Sequence, residues 1–206
     1  MIEIVTLQVG GIFPAMHGMR NPMSSWAKGD TFDDSCVGIA DKTLSKKLSN
    51  AGDEHGKHLR MVMVWADIVA PRYWWQQFDT YRIGVEKNSC STMHKLTAKP
   101  LTSVDFNLQD AEEEEWLEKA VIPRLNLLME AYKAETDDVE KYSLWKKLIN
   151  ELPQGYYQRR TVMMSYAALR NMYHQRKGHK LKEWWQFCEW CEELPESWMI
   201  TEGNDA

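Results

Sequence analysis

The chain has 206 residues, of which 44% are hydrophobic, and a net charge of −5. That length and composition exclude a disordered segment and allow a full core, and the acidic balance excludes a general DNA or RNA binder, whose phosphate contacts need clustered Lys and Arg. No apolar run approaches the ~20 residues of a spanning helix, and the opening Met1-Ile-Glu-Ile has no signal-peptide pattern, so a cytoplasmic protein with no membrane contact is expected.

In chain order, Met1 to Val9 is rich in Ile and Val and reads as a strand that Gly10-Gly11 ends. Pro14 to Asp34 holds many Gly, Pro, Asn, Ser and Asp residues and predicts a long loop. Asp41 to Ser49 predicts a short helix with Asp41 as its cap. Gly52 to His58 is a turn. Leu59 to Val69 is apolar on both faces apart from Asp67, the pattern of a buried strand, and Pro71 stops it. Trp74 to Tyr81 predicts a helix that Gly84 limits. From Asp105 the pattern turns helical. Asp110 and the acids Glu112 to Glu115 suit a solvated helix N-terminus, and Pro123 should kink or split that helix. Val139, Tyr142, Trp145, Leu148, Ile149 and Leu152 make one apolar stripe at helical spacing. Pro153 and Gly155 break the chain. Tyr156 to Arg176 predicts one long helix with Val162, Tyr166, Leu169 and Tyr173 inward, ended by Gly178. Leu181, Trp185, Cys188 and Cys191 predict the inner face of a last helix. A single domain over residues 1–200 with a disordered tail over 201–206 is expected, of α+β class because strands come early and helices late.

Four cysteines without a secretory signal are expected to be free thiols. Cys188 and Cys191 lie three positions apart on an apolar helical face, where cysteine packs as a small hydrophobe, and no second pair completes a zinc site. The chain has ten tryptophans, which suit cores and subunit interfaces. No phosphate loop, dinucleotide fingerprint, nucleophile elbow or His-Glu-x-x-His is present.

A different set of residues carries a resemblance. Ala70-Pro71 follows the predicted buried strand. Gln77 comes next, then Thr80-Tyr81-Arg82, seven residues, and Cys90-Ser91-Thr92. Further on stand Leu152-Pro153, Arg159, Asn171 and Arg176, and upstream lies Glu54-His55-Gly56-Lys57-His58. Over about Leu48 to Gln186 this arrangement resembles the flavin-dependent thymidylate synthases. That family carries Arg-His-Arg, seven residues and Ser-x-Arg shortly after an Ala-Pro. Of those signature positions only Arg82 keeps its residue; Tyr81 stands for the histidine, Cys90 for the serine and Thr92 for the last arginine. Met19-Arg20-Asn21-Pro22 matches the family only loosely.

The resemblance implies an α+β fold with a mixed sheet flanked by long helices. It implies a pyrimidine nucleotide bound by Gln77, Arg82, Arg159 and Arg176, with Cys90 at the serine position. It implies FAD on His55, Lys57 and Asn171, a reduced folate as carbon donor if the protein is an enzyme, and sites shared between the subunits of a homotetramer. The departures bear on chemistry. Tyr81 cannot supply imidazolium charge, and Thr80 and Thr92 cannot neutralise an anionic pyrimidine. Each lost charge-assisted bond removes ~1.5–3 kcal/mol. Cys90 is a candidate nucleophile with no base near it in sequence. Arg159 and Arg176 are seventeen residues apart, roughly 100° apart on one straight helix, so a shared pocket requires a helix break or different subunits. Three readings are expected to compete. One is a flavin-using pyrimidine nucleotide methyltransferase or hydroxymethyltransferase. Another is a catalytically silent module that sequesters or senses a nucleotide. The third is an interaction protein whose tryptophans make only interfaces.

Overall fold

A computed structural model describes residues 1–203 of the chain. The elements run β1 (Glu3–Gly10), α1 (Ile12–Gly18), α2 (Ile39–Asn50), β2 (Met63–Pro71), α3 (Arg72–Phe78), β3 (Val85–Ser89) and α4 (Thr92–Lys95). They continue with α5 (Ala111–Trp116), α6 (Ile122–Ala134), α7 (Asp138–Glu151), β4 (Tyr157–Ser165), α8 (Tyr166–Arg176), α9 (Lys182–Glu193) and α10 (Trp198–Thr201). The strands form one four-stranded antiparallel sheet in the order β1-β2-β4-β3. The class is α+β with helices flanking the sheet, and the sheet is antiparallel where a mixed one was expected.

Two compact units divide the described chain. The first holds Met1–Ile68, Phe78–Asn88 and the chain from Arg160 onward; the second holds Val69–Gln77 and Ser89–Arg159.

In the first unit, β2 alternates buried and half-buried residues, with Val64, Ala66 and Ile68 fully inside. Gly11 starts α1 at φ +90°, and a Cβ there would sit 2.4 Å from the Met61 carbonyl oxygen, so only glycine fits the turn out of β1. The predicted loop Pro14–Asp34 instead contains most of α1 and two 3₁₀ turns, Asn21–Met23 and Trp26–Lys28. Ile12, Ala15 and Met16 are buried there. The turn-forming residues masked that short amphipathic stretch.

Asp41 does not cap α2. It lies inside the helix and buried, accepting from Arg20 Nε at 2.5 Å and from the backbone N–H groups of Asp30 and Thr31. Asp30 does the capping from a distance, taking the N–H groups of Ala40 and Asp41. A carboxylate brought by tertiary contact thus satisfies the orphan donors of the first turn.

The largest correction concerns Tyr156–Arg176. Residues Tyr157–Ser165 are strand β4 and only Tyr166–Arg176 is helical. Val162 and Met164 alternate into the core as strand residues, and Tyr166, Leu169 and Tyr173 continue the buried surface at helical spacing. One inward face therefore runs through a change of element, which local periodicity reads as one helix. Ser165 marks the change by accepting from the Ala168 N–H as the α8 cap. Strand β3 is polar and exposed apart from Val85, so no alternating apolar pattern marks it in the sequence. In the last-helix region, Trp184, Phe187, Cys188 and Cys191 face inward, while Trp185 is 46% exposed. Near the C-terminal end, Met199 and Ile200 of α10 are buried. Of the expected tail, residues 204–206 lie outside the described residues.

The second unit has its own core of Leu96, Leu101, Phe106, Leu117, Leu125, Leu128, Met129, Leu148 and Leu152. Asp110 caps α5 by accepting from the Glu113 N–H, and the acids that follow it are solvated. A π-helical turn, Leu117–Val121, separates α5 from α6, with Pro123 in the first turn of α6. The predicted stripe on α7 is buried only at its C-terminal half. Leu148 and Leu152 are inside, but Val139 is 74% and Tyr142 62% exposed. No helix among the described residues is long and apolar enough to cross a membrane.

Candidate functional site

The C-terminal end of α8 gathers a linked cluster of polar side chains in the first unit. Arg176 donates from Nε to the Tyr81 hydroxyl at 2.8 Å. Tyr81 in turn donates to Gln175 Oε1 at 3.0 Å. Gln175 Nε2 donates to Asn171 Oδ1 at 2.8 Å, one helical turn back. The Arg176 guanidinium also lies 4.5 Å from the centroid of the buried Trp184 ring and 5.3 Å from that of Tyr81. A guanidinium over aromatic faces is held electrostatically as well as by its hydrogen bond. The basic end of the helix favours these cations, because helix carbonyls leave a partial negative charge there. His179, past the helix end, has its imidazole held below its ordinary pKa by burial and then by the charges of Arg176 and Lys180.

Arg82 follows Tyr81 in the chain. It is exposed and makes no hydrogen bond or ion pair among the described residues. The turn after it depends on Gly84, whose φ is +70° and whose carbonyl accepts from the Ser165 N–H at 2.9 Å. A Cβ on Gly84 would fall 2.5 Å from Ser165 Oγ. Beside this segment, Asp79 receives both Lys87 at 2.6 Å and Arg160 at 2.8 Å. Burial opposes ionisation of Asp79, but the hydrogen bond from Lys87 and the charge of Arg160 hold its carboxyl below the usual range.

The upstream basic segment is also in the first unit. His55 and Lys57 are exposed, and His55 lies 3.4 Å from Glu54. The 3₁₀ turn Gly56–Arg60 packs against α8, the helix that carries Asn171. His58 is the buried member, with Nε2 2.7 Å from Ser45 Oγ. Burial drives its pKa down to about 4, helped by the charge of Arg170 and opposed by a hydrogen bond to the His55 backbone.

The remaining predicted residues belong to the second unit. Gln77 is half-buried near the end of α3. Cys90 and Arg159 are brought side by side through the backbone. The Cys90 N–H donates to the Arg159 carbonyl at 2.9 Å, and Gln158 Nε2 donates to the Cys90 carbonyl at 2.9 Å. Both side chains are exposed, and no hydrogen bond reaches the Cys90 thiol among the described residues. The seventeen-residue spacing of Arg159 and Arg176 does not describe one helix, because Arg159 lies on β4 and Arg176 on α8. All four cysteines are free, Cys188 and Cys191 buried and Cys36 and Cys90 exposed. Burial pushes the Cys188 thiol up to about 11 and Cys191 well above the usual value. Both behave as core residues. No metal-binding group of three or more His, Cys, Asp or Glu exists among the described residues.

Local sequence did not single out Tyr81 as more than a changed signature position, nor Gln175 at all. Tyr81 and Arg176 are ninety-five positions apart, so no spacing rule links them. The doubled Trp184-Trp185 was the one available hint.

This architecture has known counterparts. It matches a flavin-dependent thymidylate synthase, ThyX, of Helicobacter pylori solved with FAD and dUMP, at TM-score 0.72 and 16% identity, covering 97% of this chain and 98% of that one. A second ThyX structure from the same organism, also with FAD and dUMP, matches at TM-score 0.67 and 17% identity over 97% and 96% of the two chains. A UMP/dUMP methylase, PolB, of Streptomyces cacaoi with 5-Br dUMP bound matches at TM-score 0.53 and 11% identity over 84% and 77%. No protein-family model and no curated protein matches the sequence. The chain therefore has the flavin-dependent thymidylate synthase fold, in a divergent form.

Proposed function

We propose that the protein binds a pyrimidine nucleotide and grips its phosphate with Arg82, Arg159 and Arg176, in sites completed between copies of a homotetramer. One observation carries this reading. Arg176 is oriented by Tyr81 and Trp184 at the end of α8, and the exposed Arg82 follows Tyr81 in the chain. Fixing a planar guanidinium in advance lowers the ordering cost of binding two oxygens of a tetrahedral phosphate in bidentate fashion. The neighbours in fold were solved with dUMP or 5-Br dUMP, which supports the ligand class. Gln77 and Cys90 would face the same nucleotide.

FAD is the cofactor this reading takes, and the donor set suits it. His55 and Lys57 are exposed nitrogen donors that fit a diphosphate. Asn171 accepts from Gln175 through Oδ1, which directs its amide nitrogen to donate elsewhere. When bound, reduced flavin would supply a hydride to a carbon unit brought by reduced folate. The chemistry proposed for an active protein is pyrimidine methyl or hydroxymethyl transfer.

A second reading, sequestering or sensing a nucleotide without turnover, is favoured by two observations: the phenol at the signature histidine position is engaged by Arg176 and Gln175, and no hydrogen bond reaches the Cys90 thiol among the described residues. The test uses purified full-length protein. The visible absorbance spectrum reports flavin, and thermal shifts with UMP and dUMP report nucleotide, since a ligand selective for the native state stabilises it. Stabilisation by either monophosphate is the expected result. No shift with any nucleotide sinks the reading and leaves an interaction protein. Recovering the bound nucleotide unchanged after incubation with FAD and reduced folate selects the silent module over the transferase.

A further inference from the structure

The Tyr81 hydroxyl is the meeting point of two neighbouring α8 residues. Arg176 Nε points its hydrogen at this oxygen, and the same oxygen donates to Gln175 Oε1. A phenol performs both tasks with one atom. A neutral imidazole separates its donor and acceptor onto different ring nitrogens, so it could not make both bonds at a single point. The replacement of histidine by Tyr81 is thus matched by its surroundings, and the ring adds a second hold by lying 5.3 Å from the Arg176 guanidinium carbon. The network runs on through Gln175 to Asn171, so one hydroxyl joins the proposed phosphate arginine to the proposed flavin asparagine.

We infer that Tyr81 is a positioning residue for phosphate recognition: it fixes the Arg176 guanidinium for the phosphate of a nucleoside monophosphate and does not itself touch the reacting base. The inference rests on the nucleotide-binding reading above. It assigns the signature's altered position a binding role and makes the selectivity of the site one for phosphate over free nucleoside.

The test is calorimetric titration of the full-length protein with dUMP and with deoxyuridine. Arg176→Ala should weaken dUMP binding by about tenfold or more, the scale of one charge-assisted contact. Tyr81→Phe keeps the ring and removes the hydroxyl, and should weaken dUMP several-fold while leaving deoxyuridine unchanged. The double variant should bind dUMP no worse than Arg176→Ala alone, because the hydroxyl acts through that guanidinium. Gln175→Met removes the other partner at an exposed position and should show the same phosphate-selective loss in smaller degree, which keeps the test decisive if Tyr81→Phe folds poorly. Wild-type dUMP affinity in both Tyr81→Phe and Gln175→Met, with binding lost in Arg176→Ala, overturns the role of Tyr81 and leaves the nucleotide reading standing. Full additivity of the two substitutions overturns it as well. Wild-type protein that binds no monophosphate fails both together.

Discussion

The end of α8 and the meeting of Cys90 with Arg159 both carry predicted site residues, and they are built by different means. At the end of α8, side chains from positions 81, 171, 175, 176 and 184 hold one another through hydrogen bonds and ring faces. At Cys90, the backbone does the joining, and the two named side chains stay exposed. A cluster made of side chains can lose its geometry to a single substitution. A join made of peptide groups presents whatever side chains the chain happens to carry. That difference lets the exposed side chains of Cys90 and Arg159 change without disturbing the backbone pairing that joins them.

The comparison extends to what supports each region, and it can be broken from the largest effect down. In the second unit the support is hydrophobic. Leu148 is fully buried, and Leu148→Ala should cost ~3 kcal/mol of unfolding free energy, lost contacts plus a residual cavity. A urea midpoint within ~1 kcal/mol of wild type would mean that this core does not hold the unit.

In the first unit the support under α8 is partly electrostatic and should respond to acid. His58 has a folded pKa of about 4 against the ordinary 6.5. Between those values the unfolded chain binds a proton that the native protein refuses, so stability rises with pH across this window and is lost as pH falls from 6.5 toward 4. The loss at pH 4 should reach up to ~3 kcal/mol. His58→Gln should flatten that part of the profile. An unchanged slope in the variant assigns the acid sensitivity to other groups.

Gly84→Ala should cost ~2 kcal/mol, from a left-handed φ and the approach of the new Cβ to the capping Ser165 hydroxyl. It should also weaken nucleotide binding through Arg82, read by thermal shift against dUMP. Wild-type stability would show that the turn relaxes freely.

The thiols sharpen the contrast without changing stability. A thiol reagent applied to the native protein should modify Cys36 and Cys90 quickly and leave Cys188 and Cys191 until unfolding, because burial raises the thiol pKa. Fast reaction of all four, counted by mass spectrometry, would contradict the buried placement of α9. The smallest effect is expected from Tyr142→Ser on the exposed half of α7, below ~0.5 kcal/mol. A cost above ~1 kcal/mol would show that this face is covered in the assembled protein.

Much of the molecule was legible in the residues themselves. The first strand, the buried strand ended by Pro71, the acid-capped α5 and the core role of Cys188 and Cys191 all follow from local hydrophobicity, turn chemistry and capping, which act over a few neighbours. What the residues could not show were features that exist only by meeting a distant partner. Strand β4 needs strands far away in sequence to supply its hydrogen bonds, so Tyr157–Ser165 looked like more helix. Asp41 looked like a cap until Arg20 reached it. Tyr81 looked like a loss until the tertiary fold set its hydroxyl between Gln175 and Arg176, ninety-odd positions away. Periodicity reports which face of an element is buried. Only the folded chain decides which polar groups converge there, because hydrogen bonds and charges act over a few ångströms of space and sequence spacing does not measure that distance.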